Sequence, residues 1–482
     1  MVSEQAYANA YASAYATTNS VKKPETANYN WRDDFDRGNN NFTAAFLYHI
    51  HSESEPCAGG DSTGAPHGGR SLTAAAPIRK ERDCDKLQLT PIPTYRDIMV
   101  GDNAIRQESN NSNNDGYTTS GLDESPYSSF ITSPFSVLFL LAQLALYAKG
   151  TSYEQLANLL NIKSRNEIRS IVPNYLDDIN SQQNVTIQLA EKVYGSIQFP
   201  FKKSFKRDTR LVFHAEAENL DFSDPIQAAN SINSWIASRT NNLVKDLVSS
   251  SLLNQNTRLV LANAIYFKGD WKIPFHAKKT KLKDFYVNEN ITVSVNMMNQ
   301  INKFNYGNLD SINAKVLQLF YKNTNVSFVA VLPNEEQDVL TIAETFRSPC
   351  FSLKEDIINK LKSAEVNVSL PVMDIETSTD LEDILAMNGV TEIFNPDTSD
   401  LTGIMKQDQK MYVSSALQKA KIIVNESGSE AAAGNAVIIG VTSVRYEEEP
   451  EEFNANTPFI YFILFQYTPI FAGFYSGPQY KS

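Results

Sequence analysis

The sequence predicts an α+β fold, and three observations carry that prediction. Helical periodicity dominates the first half of the ordered sequence, strand patterns dominate the second, and one run, Leu259 to Phe267, is apolar at nearly every position. Segregated helices and strands of this kind differ from the strict alternation of βαβ units. With 482 residues, 42% of them hydrophobic, the chain has enough apolar side chains for a large core.

Residues 1–37 are polar and repetitive in Ala, Tyr, Asn and Ser, without a sustained period, and read as a disordered tail. Phe42 to Ile50 has the pattern of one amphipathic helix. From His51 to about Ser125 the composition turns to Gly, Pro, Ser, Asn and charges, which cannot bury enough surface to offset the entropy of ordering. One domain is therefore expected over residues 38–478, interrupted by a disordered insertion at about 51–125.

Ordered sequence resumes at Ile131-Thr132-Ser133-Pro134-Phe135-Ser136, and an apolar helix follows to Lys149, where Gly150 suits a C-terminal cap. Thr151 and Glu154 have capping-box spacing for the next helix. Leu259 to Phe267 suits a central strand covered on both faces. Val366, Val368, Leu370 and Val372 alternate with polar residues, as in a strand covered on one face. Thr379 is placed to cap a helix over Asp380 to Met387 that stops at Asn388-Gly389. Phe459 to Phe465 and Ile470 to Phe474 read as a buried hairpin.

The net charge of −12 argues against nucleic acid and against anionic membrane surfaces, both of which need basic faces. The richest basic stretch, Phe201 to Arg207, reads as a solvated surface. Cys57, Cys84 and Cys350 have neither zinc nor redox spacing, so no metal or cofactor is expected. No apolar run is long enough to span a bilayer, and no signal peptide is visible at Met1 onward. Yet Asn-x-Ser/Thr sequons occur at Asn41, Asn110, Asn184, Asn290, Asn325, Asn367 and Asn425, which favours secretion and glycosylation.

Nothing in the chain assembles a catalytic centre. There is no Gly-x-Ser-x-Gly elbow, no His-Glu-x-x-His helix and no phosphate loop, and His49, His51, His67, His214 and His276 have no nucleophile in a recognisable motif. The expectation is a protein that is not an enzyme.

One segment resists a bland reading. Val424 to Ile439 begins with small, weakly charged residues and then becomes β-prone. At a period of two, Ser429, Ala431, Ala433, Val437 and Ile439 share one face, so the segment suits either solvent or the interior of a sheet. Glu426-x-Gly428-Ser429-Glu430-Ala431-Ala432-Ala433-Gly434 resembles the hinge of inhibitory serpins. Further serpin-like blocks recur in order: Ser133-Pro134-Phe135-Ser136, Asn263 to Trp271, Leu332-Pro333-Asn334-Glu335, Asp380-Leu381 through Gly389-Val390, and Phe453 to Phe459. The resemblance runs from about Ile131 to Pro478, and Asn41 to Tyr48 is similar to the family's first helix.

The resemblance implies about nine helices, three β-sheets and an exposed reactive loop. It implies a suicide inhibitor: a serine protease attacks the loop, which then inserts into the main sheet and traps the protease as an acyl-enzyme. It further implies a serine protease as partner and a monomeric inhibitor, and with the sequons it points to an extracellular location, against which the absent signal peptide stands. Ser133, Ser136, Asn263, Trp271 and Gln418 match the family's sheet-opening gate. Gln418 stands where vertebrate members commonly carry His, and Asn435 stands where Thr is usual. Counting back from Phe453 places the cleaved bond at Arg445-Tyr446, for a trypsin-like target; counting forward from Glu426 gives Thr442-Ser443, for an elastase-like one. Glu447, Glu448, Glu449, Glu451 and Glu452 follow as either a steering patch or a solvating spacer. A non-inhibitory carrier, storage protein or chaperone is the alternative, against which the small hinge residues argue.

Overall fold

The computed structural model of the protein describes residues 39, 42–43, 129–182, 184–334, 338–348, 351–406, 410–429 and 449–479. The segments expected to be disordered, 1–37 and about 51–125, lie outside them, as do the three cysteines. Asn39, Phe42 and Thr43 are helical and buried, and Asn39 donates to the carbonyl of Pro469.

Strand β1 (Phe130–Thr132) leads into α1 (Pro134–Ala145). The helix begins there because the Ser133 hydroxyl accepts from the Ser136 amide and Pro134 sits where no intrahelical donor is needed. All of α1 is buried, so it is a core helix without a polar face. It stops at Ala145, short of Lys149, because Arg165 takes up the carbonyls of Ala145 and Ala148. Gly150, at φ +50°, opens α2 (Gly150–Leu159) instead of closing α1, and no side chain caps α2, so the Thr151/Glu154 box does not form.

The chain continues through α3 (Arg165–Asn180), β2 (Val185–Ser196), α4 (Lys203–Phe213), β3 (Glu216–Leu220), α5 (Pro225–Arg239) and β4 (Leu259–Asp270). In the basic stretch at the start of α4, Phe201 and Phe205 turn inward while Lys203, Lys206 and Arg207 face solvent. Next come β5 (Lys281–Tyr286), β6 (Thr292–Leu309), β7 (Ala314–Phe320), β8 (Val326–Pro333), α6 (Val339–Phe346), β9 (Lys362–Pro371) and β10 (Met373–Asp380). Helix α7 (Glu382–Met387) starts later than Thr379 would place it, because Thr379 pairs with Gln418 in the sheet and Asp380 accepts from the Glu382 amide. Gly389, at φ +80°, ends that helix region as expected. Strands β11 (Val413–Asn425), β12 (Gly428–Ser429), β13 (Glu451–Asn454), β14 (Phe459–Phe465) and β15 (Thr468–Tyr475) complete the order.

Two hydrogen-bonded networks result. The six-stranded sheet runs β10-β11-β12-β4-β2-β3. The larger network runs β1-β15-β14-β8-β7-β6-β9-β13, with β5 on β6. Strand β6 joins what would otherwise be two sheets: its start pairs with β5, its middle with β9 and its end with β7. The α+β class expected from the sequence is thus present.

The six-stranded sheet is covered on both sides. Leu261, Ile265 and Phe267 of β4 face the main core with α1, while Val260, Ala262 and Ala264 face a second cluster under Ile232 and Ile236 of α5. Two covered faces are why this strand reads as a continuous apolar run.

Candidate functional site

Strands β4 and β11 form a parallel pair in the middle of the six-stranded sheet, from Val413/Leu259 past a bulge at Ser414 and then in continuous register from Ser415/Val260 to Ile422/Phe267. Beyond those residues they part. The chain leaves β11, turns at Glu426-Ser427 and returns between the two strand ends as β12. Ser429 lies opposite both Val424 and Gly269, and Gly428 opposite both Asn425 and Asp270. The seam between β4 and β11 is therefore a slot whose upper end already holds two residues of the returning chain.

Side chains fix that upper end. Ser429 is fully buried, and its hydroxyl lies 2.8 Å from the Tyr321 hydroxyl. Tyr321 stacks on Trp271 with centroids 4.5 Å apart, and the Trp271 indole donates to the Asn425 carbonyl. Backbone amides of Trp271 and Phe275 donate to the carbonyls of Ser427 and Glu426, and the Thr280 hydroxyl donates to the Glu426 carboxylate at 2.6 Å. Gly428 is required by close approach: a Cβ there would stand 2.0 Å from the Gly269 carbonyl oxygen, and the residue holds φ at +152°. Burial pushes the Tyr321 phenol up, so it stays a neutral donor and acceptor.

A second cluster bridges the seam lower down. Gln418 of β11 is in register with Asn263 of β4, and both side chains are buried. The Gln418 amide donates to Asn263 Oδ1 at 3.1 Å, to the Ser133 carbonyl at 2.9 Å and to the Ser136 hydroxyl at 3.2 Å. Its oxygen accepts from the Thr132 hydroxyl and the Ser133 amide. Ser136 also donates to Asn263 Oδ1, and Ser133 donates to the Ile470 carbonyl. Adjacent strands lie about 4.8 Å apart, so any strand placed between β4 and β11 must break the Gln418–Asn263 contact.

On the outer face, Lys419 and Lys421 of β11 pair with Glu376 of β10 at 2.9 and 3.0 Å. Burial pushes the Glu376 carboxyl up, but hydrogen bonds from the two lysines outweigh it and hold the group below the usual range.

All five residues proposed as a gate from the sequence thus fall on one seam: Ser133, Ser136, Asn263 and Gln418 make one hydrogen-bonded cluster, and Trp271 stands with Glu426, Gly428 and Ser429 at the upper end. Ala431, Ala432, Ala433 and Gly434, and the two candidate bonds at Arg445-Tyr446 and Thr442-Ser443, lie outside the described residues. Sequence reasoning missed Tyr321, Thr280 and Thr132. Thr132 directly precedes the Ser133 block, whereas Tyr321 and Thr280 reach the site from distant chain segments and carry no local signal.

Among the sequons, Asn184, Asn290 and Asn325 are exposed. Asn367 is half-buried between Asn299 and Glu452, and Asn425 accepts from the Ser427 amide. Asn41 and Asn110 lie outside the described residues. Among the described residues no three His, Cys, Asp or Glu converge as a metal site, and no helix is long and apolar enough to cross a membrane.

Residues 118–478 match the family model described as serpin (serine protease inhibitor). The chain is 37% identical over 352 residues to antitrypsin of Bombyx mori, covering 72% of this chain and 89% of that protein. It is 36% identical to antichymotrypsin-2 of the same species, covering 73% and 93%. Its structure is similar to that of Serpin48, described as a highly specific serpin in the insect Tenebrio molitor, with a TM-score of 0.67 at 29% identity, covering 73% of this chain and 92% of that one.

Proposed function

Because the chain belongs to the serpin family, we propose that it is not an enzyme but a single-use inhibitor of a serine protease, in which the segment after Ser429 is cleaved by the target and then enters the β4/β11 seam. The observation that carries this reading is β12: Gly428 and Ser429 already occupy the upper end of the slot, antiparallel to both walls. A strand continuing from Ser429 would pair with β4 and β11 on either side, so the backbone groups of an inserted segment would find partners on both edges. The small residues Ala431 to Gly434 that follow raise little steric cost to entering a closed sheet.

In this reading Glu426, Gly428 and Ser429, with Ala431 to Gly434, are the hinge. Ser133, Ser136, Asn263 and Gln418 latch the lower seam, and Trp271 with Tyr321 lines the point where the strand begins to enter. The cleaved bond is Arg445-Tyr446, whose guanidinium suits a protease pocket with a carboxylate at its base. Thr442-Ser443 is the alternative bond. The protein acts as a monomer outside the cell, its domain spans residues 38–478, and the exposed Asn184, Asn290 and Asn325 are the sequons that carry glycans.

The test is incubation of the full chain with trypsin. A complex that survives SDS, lost in Arg445→Ala, is the expected result, and mass analysis of the released peptide locates the bond. Clean cleavage with no complex would sink the inhibitory reading and leave a substrate or carrier.

A further inference from the structure

Glu191 faces the core from β2 and is 5% exposed. Its partner in register is Asn263 of β4, the residue that Gln418 holds across the seam. Its Oε2 accepts a long bond of 3.4 Å from Gln143 of α1. Glu191 Oε1, Gln143 Oε1 and Asn263 Nδ2 are buried and have no hydrogen-bond partner among the described residues. An ionised carboxylate can accept from the Gln143 and Asn263 amide groups but has no hydrogen for the unpartnered Gln143 oxygen, whereas a neutral acid carries a hydroxyl that can donate to it while its other oxygen still accepts.

Among the described residues no cation meets this carboxyl. Helix α1 presents Gln143 and contains no charged residue. Strand β4 presents Asn263 between Leu261 and Ile265, and β11 presents Gln418. On the buried face of α3, which also packs on β2, Tyr175 is the titratable group. Lys192, next along β2, points to the opposite face and is paired there with Glu216 and Glu218. Burial alone pushes the Glu191 carboxyl well above the usual range.

We infer that Glu191 is held as the neutral acid beneath the closed sheet, and that its ionisation at raised pH lifts β2 and β4 from α1 and eases opening of the β4/β11 seam. The two strands are paired from Val185/Gly269 to Gly195/Leu259 and move together. A charged Glu191 gains hydration only when they rise from Gln143, and that movement pulls Asn263 away from Ser136 and Gln418. The sign follows from the raised pKa of the closed state. The closed sheet has its full stability below the ordinary glutamate pKa and loses it as pH rises towards the raised value. The inference rests on the proposed opening of the seam.

The test is uptake of a synthetic peptide with the sequence of residues 429–441 by the full chain, followed on native gels between about pH 6 and about pH 9. Uptake by the wild-type protein is expected to rise by up to about tenfold per pH unit over part of that range. Glu191→Gln, which matches the neutral acid in shape and hydrogen bonding, is expected to take up peptide with no such slope. The infrared C=O band of a neutral carboxyl is expected in the wild-type protein at neutral pH, fading over the range in which uptake rises. If Glu191→Gln folds poorly, that band in the wild-type protein decides the matter, and its absence at neutral pH overturns the inference. Uptake that is indifferent to pH, or a slope that persists in Glu191→Gln, also overturns it while leaving the seam itself standing. No uptake at any pH overturns the opening of the seam and this inference with it.

Discussion

The Ser429 hydroxyl lies 2.8 Å from the Tyr321 hydroxyl, and this pair ties the returning strand to the upper end of the six-stranded sheet. Tyr321 is itself anchored by its stack on Trp271. Tyr321→Phe keeps the ring and removes the partner of a buried hydroxyl, at a cost of about 1 kcal/mol. Strand β12 is expected to leave the slot about fivefold more often, and limited proteolysis just after Ser429 to quicken by a similar factor. An unchanged rate would show that the hydroxyl pair does not hold β12 in place.

Gly428→Ala is expected to expel β12 from the slot, since its Cβ would meet the Gly269 carbonyl oxygen. Hydrogen exchange at the Trp271 amide, which donates to Ser427, should then rise while the core strands stay protected.

Gln418→Ala leaves Thr132, Ser133, Ser136 and Asn263 short of partners at once, so a loss of about 2–4 kcal/mol is expected in chemical denaturation. Gln418→His should recover part of that loss at high pH. It should do so less at low pH, where a charged imidazole would be buried without a carboxylate in the cluster.

Glu376 gives a second, opposite pH dependence. Its folded-state pKa is held down by Lys419 and Lys421, so its contribution is present above the ordinary glutamate pKa of about 4.3 and is lost as pH falls through the folded value. Glu376→Gln should lower the thermal midpoint at neutral and higher pH, where this contribution is present, and flatten the fall on the acid side of the profile.

Substituting Asn290 or Asn184 by Gln is expected to lower the mass of protein recovered from a eukaryotic secretory host by one glycan each. Asn367→Gln should not, because that side chain is engaged within the sheet by Asn299 and Glu452.

The fold class, the covered strand at Leu259 to Phe267, the C-terminal hairpin and the family were all legible in the residues. Each of these rests on local periodicity or on an ordered series of motifs, which survive without knowledge of distant contacts. Element ends were less legible. Helix α1 stops at Ala145 because Arg165 reaches its last carbonyls, and α7 starts after Asp380 because Thr379 belongs to the ladder with Gln418. The sequence also grouped Ser133, Ser136, Asn263, Trp271 and Gln418 by resemblance. Tertiary contacts alone show that they divide into a lower hydrogen-bonded cluster and an upper group around β12, that Tyr321 and Thr280 join the upper group, and that Glu191 lies beneath the seam with no counter-charge among the described residues. The physical reason is separation along the chain. Tyr321 meets Ser429, and Glu191 meets Asn263, only because sheet register brings strands from distant segments side by side, and no local pattern encodes that register.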